Sequence, residues 1–379
     1  MKVLHLFKTY LPDSFTGIER VIWEIAESTY RLGVESHVLA LSKRPHRAPL
    51  AVANHTVHQV RQDLHVASTG LSRSAFARFA ALAANVDVIH YHFPWPMADA
   101  LHFRAGRGKP TVLTYHSDIV RQRLLLRFYR PVKHRFLGAV DHIVATSPNY
   151  LATSPVLARF RNKTSVIPIG LASAPAVDPE RVAAWRQRLG ERFFLFVGVL
   201  RYYKGLPVLV EAARRTGLPL AVVGEGPLRR DLERAGLPNV TMLGKVDEQD
   251  KFALLSACTA FVFPSSIRTE AFGVALAEAA RAGKPMISCE IGTGTSYVNR
   301  HEETGLVVPP DDPGALGLAM QRLWNDPELS NRMGRAAAVR FNALFRAEDM
   351  AMAYADLYAR VMERRRTVAG PSATGFAIP

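Results

Sequence analysis

Two series of short apolar runs lie on either side of an Ala/Pro-rich break at residues 172–179 (ASAPAVDP). In each series the runs are separated by stretches with helical spacing. In the second, residues 193–199 (FFLFVGV) form an unbroken apolar run, as expected of a strand buried on both faces. Strand and helix in strict alternation predict a parallel sheet with crossover helices. A series interrupted and restarted predicts two such sheets, and a length of 379 residues fits two domains at roughly 100–200 residues each. The fold class read from the chain is therefore α/β, two doubly wound domains in tandem. Such domains bind ligands at the carboxyl ends of their strands, which makes the cleft between them the expected site.

The expected strands of the first series are residues 3–7, 37–41, 86–91, 111–115 and 142–146, with a helix over 17–32 that stops at Gly33. The second series gives 193–199, 220–223, 240–243, 260–263 and 285–288, with a helix over 206–214. These runs predict a first domain over 1–171, a linker and lead-in over 172–190 and a second domain over 191–346. A long helical stretch covers 313–363. Its last part, 347–365, is expected to pack back on the first domain, followed by a mobile tail over 366–379.

Composition excludes several classes. The chain is 48% hydrophobic and carries no low-complexity tract, so it is neither disordered nor collagen-like. Two cysteines, Cys258 and Cys289, make no disulfide framework and no Cys-rich zinc site. No apolar run approaches the ~18 residues of a membrane span. The opening residues are too soon interrupted for a signal peptide, so a cytoplasmic location is expected. Lys and Arg outnumber Asp and Glu by 48 to 33. That excess favours anionic partners, whether phosphate, nucleic acid or a membrane face, without choosing among them.

The most informative motif is 265–278 (SSIRTEAFGVALAE). It follows the strand at 260–263 and Pro264, and a helix starts near Phe272 or Gly273. Free N–H groups at a helix start can bind an anion, and Gly273 lets a ligand approach the backbone. Glu270 precedes the helix and Glu278 lies ~12 Å along its axis, so each carboxylate can hold a different end of one ligand. The plain alternative is a surface glutamate and a capping one. A second motif, 197–205 (VGVLRYYKG), follows the strand 193–199 and contains Gly198. It places Arg201 and Lys204 where a diphosphate would sit, or else forms an exposed basic loop. In 113–118 (LTYHSD), His116 falls at the carboxyl end of a strand, with Asp118 two residues on. Gly17, in 14–20 (SFTGIER), opens a helix where amides can approach a phosphate.

Glu270, seven residues and then Glu278 resemble the signature of the retaining glycosyltransferases of family 4, enzymes of the two-domain GT-B fold. The resemblance covers nearly the whole chain and includes 279–285 (AARAGKP) and 303–309 (ETGLVVP). Residues 8–13 (KTYLPD) and 289–299 (CEIGTGTSYVN) are most similar to bacterial O-polysaccharide transferases that use GDP-mannose or GDP-rhamnose. The resemblance implies roles for named residues. Glu278 would hold the ribose and Glu270 the donor-sugar hydroxyls. Arg201 and Lys204 would neutralise the diphosphate as it leaves. His116, oriented by Asp118, would face the donor sugar. Gly244, Lys245 and Val246 would contact the base, while the amides at Phe272, Gly273 and Val274 would bind sugar or diphosphate. The family usually shows two glycines where this chain has Thr16 and Gly17, and Gly17 resembles the second.

The implied reaction is hexosyl transfer with retention. No cofactor is expected beyond the nucleotide-sugar substrate, and no essential metal, since no Asp-x-Asp sits at a predicted site. His90, His92 and His102 cluster in sequence, but 90–96 (HYHFPWP) holds no spaced carboxylate partner and reads as a loop lining the cleft. Residues 121–135 (RQRLLLRFYRPVKHR) interleave basic and large apolar side chains. They suit an anionic membrane surface, a nucleic acid, or a half-buried helix with a solvated basic face. Lipid-linked saccharide acceptors, implied by the resemblance, favour the inner face of the inner membrane. The competing readings are another enzyme of this architecture, such as a nucleotide-sugar epimerase, and a nucleic-acid-binding protein. The latter rests on net charge alone, and no nucleic-acid partner is expected.

Overall fold

The computed structural model describes residues 1–66, 69–119 and 123–369, with only the backbone for 123–126, 368 and 369. In chain order the elements begin β1 (Lys2–Leu6), α1 (Gly17–Tyr30), β2 (Glu35–Ser42), β3 (Leu50–Val52), β4 (His55–Arg61), β5 (Leu64–Val66) and β6 (Thr69–Leu71). They continue with α2 (Ser74–Ala84), β7 (Val88–Phe93), α3 (Pro96–Leu101), β8 (Thr111–Tyr115), α4 (Arg123–Ala139), β9 (His142–Ala145), α5 (Pro148–Thr153) and β10 (Thr164–Val166). The second series is α6 (Pro179–Leu189), β11 (Phe194–Val197), α7 (Leu206–Thr216), β12 (Leu220–Val223), α8 (Arg229–Arg234), β13 (Val240–Gly244), α9 (Glu248–Ala257), β14 (Ala260–Phe263), α10 (Val274–Arg281), β15 (Met286–Cys289), α11 (Thr295–Val298) and β16 (Gly305–Val308). Three helices close the chain: α12 (Pro313–Asn325), α13 (Pro327–Leu344) and α14 (Ala347–Ala369).

Two compact units result. The first contains Met1–Ala145, Pro155–Ile167 and the C-terminal helix; the second contains Thr146–Ser154 and Pro168–Arg346. The first unit's sheet runs β10-β9-β8-β7-β1-β2-β4-β3, parallel except for β3 against β4. The second unit's sheet runs β13-β12-β11-β14-β15-β16 and is parallel throughout. Both orders reverse direction beside the first strand of their series, the doubly wound arrangement expected from the alternation of elements.

The unit boundaries differ from a simple division at 171. Ser147 caps α5 by accepting from Tyr150 N–H, and α5 is tied to the loop after β15. Asn149 donates to Ser296 Oγ at 3.1 Å and Thr153 Oγ1 to the Gly292 carbonyl at 2.5 Å. Those bonds hold Thr146–Ser154 in the second unit. The helical stretch expected over 313–363 is three helices rather than one. Asp326 ends α12 and caps α13 by accepting from Leu329 N–H, and Pro327 starts the new helix. The last helix, α14, packs on α1 and extends to Ala369, past the start of the tail expected at 366. Residues 370–379 lie outside the described residues. Among the described residues no helix is long and apolar enough to cross a membrane.

Candidate active site

In the second unit the loops at the carboxyl ends of β11, β12 and β13 are sewn together by backbone hydrogen bonds. Gly198 N–H reaches Val223 O at 3.0 Å, Leu200 N–H reaches Glu225 O at 2.9 Å and Gly224 N–H reaches Gly244 O at 2.8 Å. Gly198 and Gly244 are therefore parts of one rim. Lys245 is exposed and Val246 half-buried between β13 and the cap of α9, which Asp247 supplies by accepting from Asp250 N–H.

The turn after β11 carries Arg201, then a single 3₁₀ turn at Tyr202–Lys204. Gly205 ends it with φ +65°, and a Cβ there would lie 1.9 Å from the Pro264 carbonyl. Only glycine lets this turn touch the loop after β14. Ser266 N–H then donates to Tyr203 O at 3.1 Å. Those contacts bring Lys204 and Glu270 together, Nζ to Oε2 at 2.5 Å, with the two side chains 10% and 14% exposed. Lys204 Nζ also stands 4.3 Å from the centre of the Phe263 ring. Burial, with the Glu270 charge beside it, pushes the Tyr203 phenol up to about 12. Arg201 is exposed at the mouth of the same turn.

Gly273, at φ +84°, caps α10, whose first amide is that of Val274, and Phe272 and Gly273 lie two and three residues after Glu270. The loop before them is braced by Gly294 N–H, which donates to Ala271 O at 2.7 Å. Arg268 is a brace as well: its Nη1 donates to Gly292 O at 2.7 Å and to Thr153 Oγ1 at 3.1 Å. Glu278 sits buried on α10, and its Oε1 accepts from Lys251 Nζ at 2.8 Å. Lys251 also binds both oxygens of Glu248 at 3.0 Å. The sequence held no sign of this lysine's role, because it lies 27 residues from Glu278 and on another helix. Arg201, Lys204, Glu270, Glu278 and the start of α10 thus all belong to the carboxyl edge of one sheet.

In the first unit His116 follows β8 and is buried. Its Nε2 is 2.9 Å from His92 Nδ1. Asp118, expected to orient it, instead accepts from the Tyr115 hydroxyl at 2.9 Å. His90 and His92, expected in a loop, are on β7, whose six residues are all buried. The strand expected over 86–91 runs on to Phe93, so it takes in His92 as well as His90. His102 stands apart, 3.1 Å from the Tyr91 hydroxyl. Burial lowers the His116 imidazole to about 3 and holds His90 and His92 well below the ordinary histidine value.

Gly17 begins α1, with open space where a Cβ would stand. The anion at that helix start is the protein's own. Glu19, buried, accepts from the hydroxyls of Thr9 at 2.7 Å, Ser14 at 2.9 Å and Thr16 at 3.1 Å. A phosphate beside Gly17 would meet that carboxylate, which argues against the phosphate contact expected there. Within the basic stretch, Arg121 lies outside the described residues and α4 begins at Arg123. One face of α4 is buried: the Tyr129 hydroxyl donates to Asp99 at 2.6 Å and Lys133 is buried. The other face exposes Arg127, Phe128 and Arg130, with Phe128 81% exposed.

Comparison with known proteins matches both units to glycosyltransferases. A profile described as "Glycosyltransferase Family 4" matches residues 15–172, and one described as "Glycosyl transferases group 1" matches residues 178–340. The D-rhamnosyltransferase WbpZ of Pseudomonas aeruginosa is 53% identical over 353 residues, 92% of this chain and 93% of the relative. The O-antigen chain mannosyltransferase C of Escherichia coli is 46% identical over 370 residues, 96% of this chain and all of the relative. Among solved structures, a sucrose-phosphate synthase from Thermosynechococcus elongatus superposes with a TM-score of 0.79 at 21% identity, covering 96% of this chain and 99% of that one.

Proposed function

The chain belongs to glycosyltransferase family 4, with the GT-B fold, and we propose that it moves mannose or rhamnose from a GDP-sugar onto a lipid-linked saccharide in O-antigen synthesis. The activities for which the two relatives are named, a rhamnosyl and a mannosyl transfer, support the sugar class. The observation that carries the chemistry is the Lys204–Glu270 pair set against the start of α10. A cation and a carboxylate meet in the loops after β11 and β14, and the carboxylate lies three residues before the cap of α10, which suits a diphosphate and sugar hydroxyls.

In this reading the diphosphate is bound by Arg201 and Lys204, and Lys204 shares its charge between Glu270 and the phosphate. As the bond from anomeric carbon to phosphate oxygen breaks, negative charge grows on the diphosphate, and pre-placed cations stabilise it without reorganisation. Glu270 accepts hydrogen bonds from donor-sugar hydroxyls. Glu278, with Oε1 taken by Lys251, offers its other oxygen to the ribose. Gly244, Lys245 and Val246 contact the base, and the amides at Phe272, Gly273 and Val274 bind sugar or diphosphate. His116 of the first unit hydrogen-bonds to the donor sugar.

The acceptor hydroxyl attacks the face from which the diphosphate departs, and the departing oxygen takes the acceptor proton, so configuration is retained. The side-chain cations supply the positive charge, and no metal or cofactor is required. The exposed face of α4 holds the enzyme peripherally on the anionic cytoplasmic surface of the inner membrane. The deciding experiment is transfer to a lipid-linked acceptor with GDP-, UDP- and ADP-sugars, in the presence and absence of EDTA, with the anomeric configuration of the product read by NMR. Retained product from a GDP-sugar in EDTA is the expected result. An inverted product, or magnesium-dependent activity, would overturn the corresponding part of the reading.

A further inference from the structure

One face of the first unit's sheet carries a row of histidines, of which the reaction scheme above uses only His116. His5 on β1 stands in register with His90 on β7, and His92, two residues on, shares His90's face. Thr114 on β8 is in register with His92, and His116 follows. Tyr354 and Tyr358 of α14 lie against this face: Tyr358 OH is 2.7 Å from His90 Nδ1, and Tyr354 OH is 2.8 Å from Thr114 Oγ1. His90 Nε2 is 2.7 Å from the same Thr114 oxygen.

The remaining three form a line. His5 Nδ1 is 3.1 Å from His92 Nε2, and His92 Nδ1 is 2.9 Å from His116 Nε2. His5 and His92 are fully buried. Burial, then the neighbouring histidines' charges, keeps His5 down to about 3 and His92 well below its ordinary value. A neutral imidazole has one ring proton. His92 engages both neighbours, so it must donate at one nitrogen and accept at the other. That couples the three tautomers and leaves two arrangements.

In one arrangement His92 donates from Nε2 to His5 Nδ1, and the His5 proton moves to Nε2. That atom is buried and has no hydrogen-bond partner among the described residues, so an N–H would be stranded there. In the other, His5 donates from Nδ1 to His92 Nε2, and His92 donates from Nδ1 to His116 Nε2. His5 Nε2 is then a bare acceptor. Among backbone groups an orphaned buried N–H is rarer than an under-satisfied acceptor, and the second arrangement strands no N–H.

We propose that His5 and His92 are positioning residues that hold His116 as its Nδ1–H tautomer, so that it presents a hydrogen-bond donor rather than a base to the donor sugar. The proposal rests on the reading that His116 faces that sugar. It gives a catalytic-site histidine a fixed role without a carboxylate, through two neutral rings. The donor nitrogens of His5, His90 and His92 also come within 4.8 Å of one another, a spacing that would suit a metal ion. The hydrogen bonds already made by these rings favour the relay.

The test is long-range ¹H–¹⁵N correlation of the imidazoles in the full-length, ligand-free protein labelled with ¹⁵N-histidine, with His116 assigned by its loss in His116→Asn. The expected spectrum shows His116 protonated at Nδ1 and bare at Nε2. In His92→Phe the His116 tautomer should become mixed, and kcat should fall ~10-fold, the size of one hydrogen bond, while KM for the donor stays within about twofold. His92→Asn, which keeps an N–H near the same place, should recover most of both. An Nε2–H His116 in the wild type overturns the proposal, as does an unchanged His116 signal in His92→Phe. Tight uptake of one zinc ion that abolishes these signals would overturn it too. The wild-type spectrum decides even where a variant fails to fold. An Nδ1–H His116 combined with normal turnover in His116→Asn would support the relay and overturn the sugar contact.

Discussion

In the second unit two lysines, Lys204 and Lys251, leave water together with the carboxylates of Glu270 and Glu278. In the first, His5, His90, His92 and His116 leave water with one another and with hydroxyls. A buried ion pair keeps its charge and must be balanced by its partner. A buried imidazole can shed its charge, and its cost is only that of placing one proton correctly. Paired charges can be lent to a diphosphate when it arrives, whereas neutral rings are fixed donors and acceptors for hydroxyls. The two regions should therefore break in different ways.

The largest effect is expected at the charge pair. Lys204→Ala removes the counterion of a nearly buried Glu270 and the cation beside the leaving group. Turnover should fall by ~10³ or more, as for loss of a preorganised electrostatic contact, and stability by on the order of 3 kcal/mol, as for one half of a buried pair. The double variant Lys204→Met, Glu270→Leu should regain most of the stability and none of the turnover. Calorimetric unfolding and steady-state kinetics on the three proteins check this. Normal turnover in Lys204→Ala would leave the pair a structural brace.

Next in size is the division of labour between the two glutamates. Glu278→Gln should weaken free GDP by ~10-fold, because a charged hydrogen bond to ribose is worth about 1.5 kcal/mol or more. Lys251→Met should act like it, since it frees the carboxylate that Lys251 positions. Glu270→Gln should leave free GDP nearly untouched and act on kcat once the sugar is attached. Titration calorimetry with GDP and with the donor separates the cases. Equal loss of GDP affinity in both glutamine variants would show that the roles are divided wrongly.

The same contrast explains what could be read from the amino acids alone. The parallel sheets, Glu270, Glu278, Arg201 and Lys204 were legible because each sits in a local pattern: an apolar run, then a short loop, then a helix start. The pairings were not. Lys251 meets Glu278, and His5 meets His92 across 87 residues, only after strands and helices have been stacked. His90 and His92 did carry a signal, since residues two apart share a strand face. Reading 90–96 as one loop hid it. Asp118, two residues from His116, was expected to orient it; in the structure its Oδ1 accepts from the Tyr115 hydroxyl, and His92 stands 2.9 Å from His116.

A smaller effect comes from pH. A histidine whose folded pKa lies below its unfolded value near 6.5 binds fewer protons when folded. Its contribution to stability is complete above about pH 6.5 and is lost as pH falls toward its folded value. His5 and His116, both lowered to about 3, should each add a slope of about 1.4 kcal/mol per pH unit in that window. Denaturant midpoints between pH 7.5 and 5 should therefore fall on acidification, and His5→Phe should flatten the slope by about one proton. An unchanged slope in that variant would mean that His5 is not buried as a neutral ring.

The smallest effect on the chemistry itself is expected at the surface of α4, where the comparison runs between two faces of one helix. Tyr129 and Lys133 face inward, Tyr129 bonded to Asp99. Arg127, Phe128 and Arg130 face water. An exposed phenylalanine between two arginines can enter the interfacial region of a bilayer while the guanidinium groups meet anionic headgroups. Each arginine near such a surface is worth about 1 kcal/mol, and that attraction is screened over ~10 Å at 0.1 M salt. Replacing Arg127 and Arg130 by Glu and Phe128 by Ser should cut partition onto phosphatidylglycerol vesicles by ~30-fold or more. GDP affinity and turnover on a detergent-solubilised acceptor should stay unchanged, because all three are exposed on α4 and none belongs to the loops that carry Arg201, Lys204, Glu270 and Glu278. A variant that still sediments with vesicles at low salt would remove α4 as the anchor. One that loses turnover in detergent would instead place this face at the acceptor.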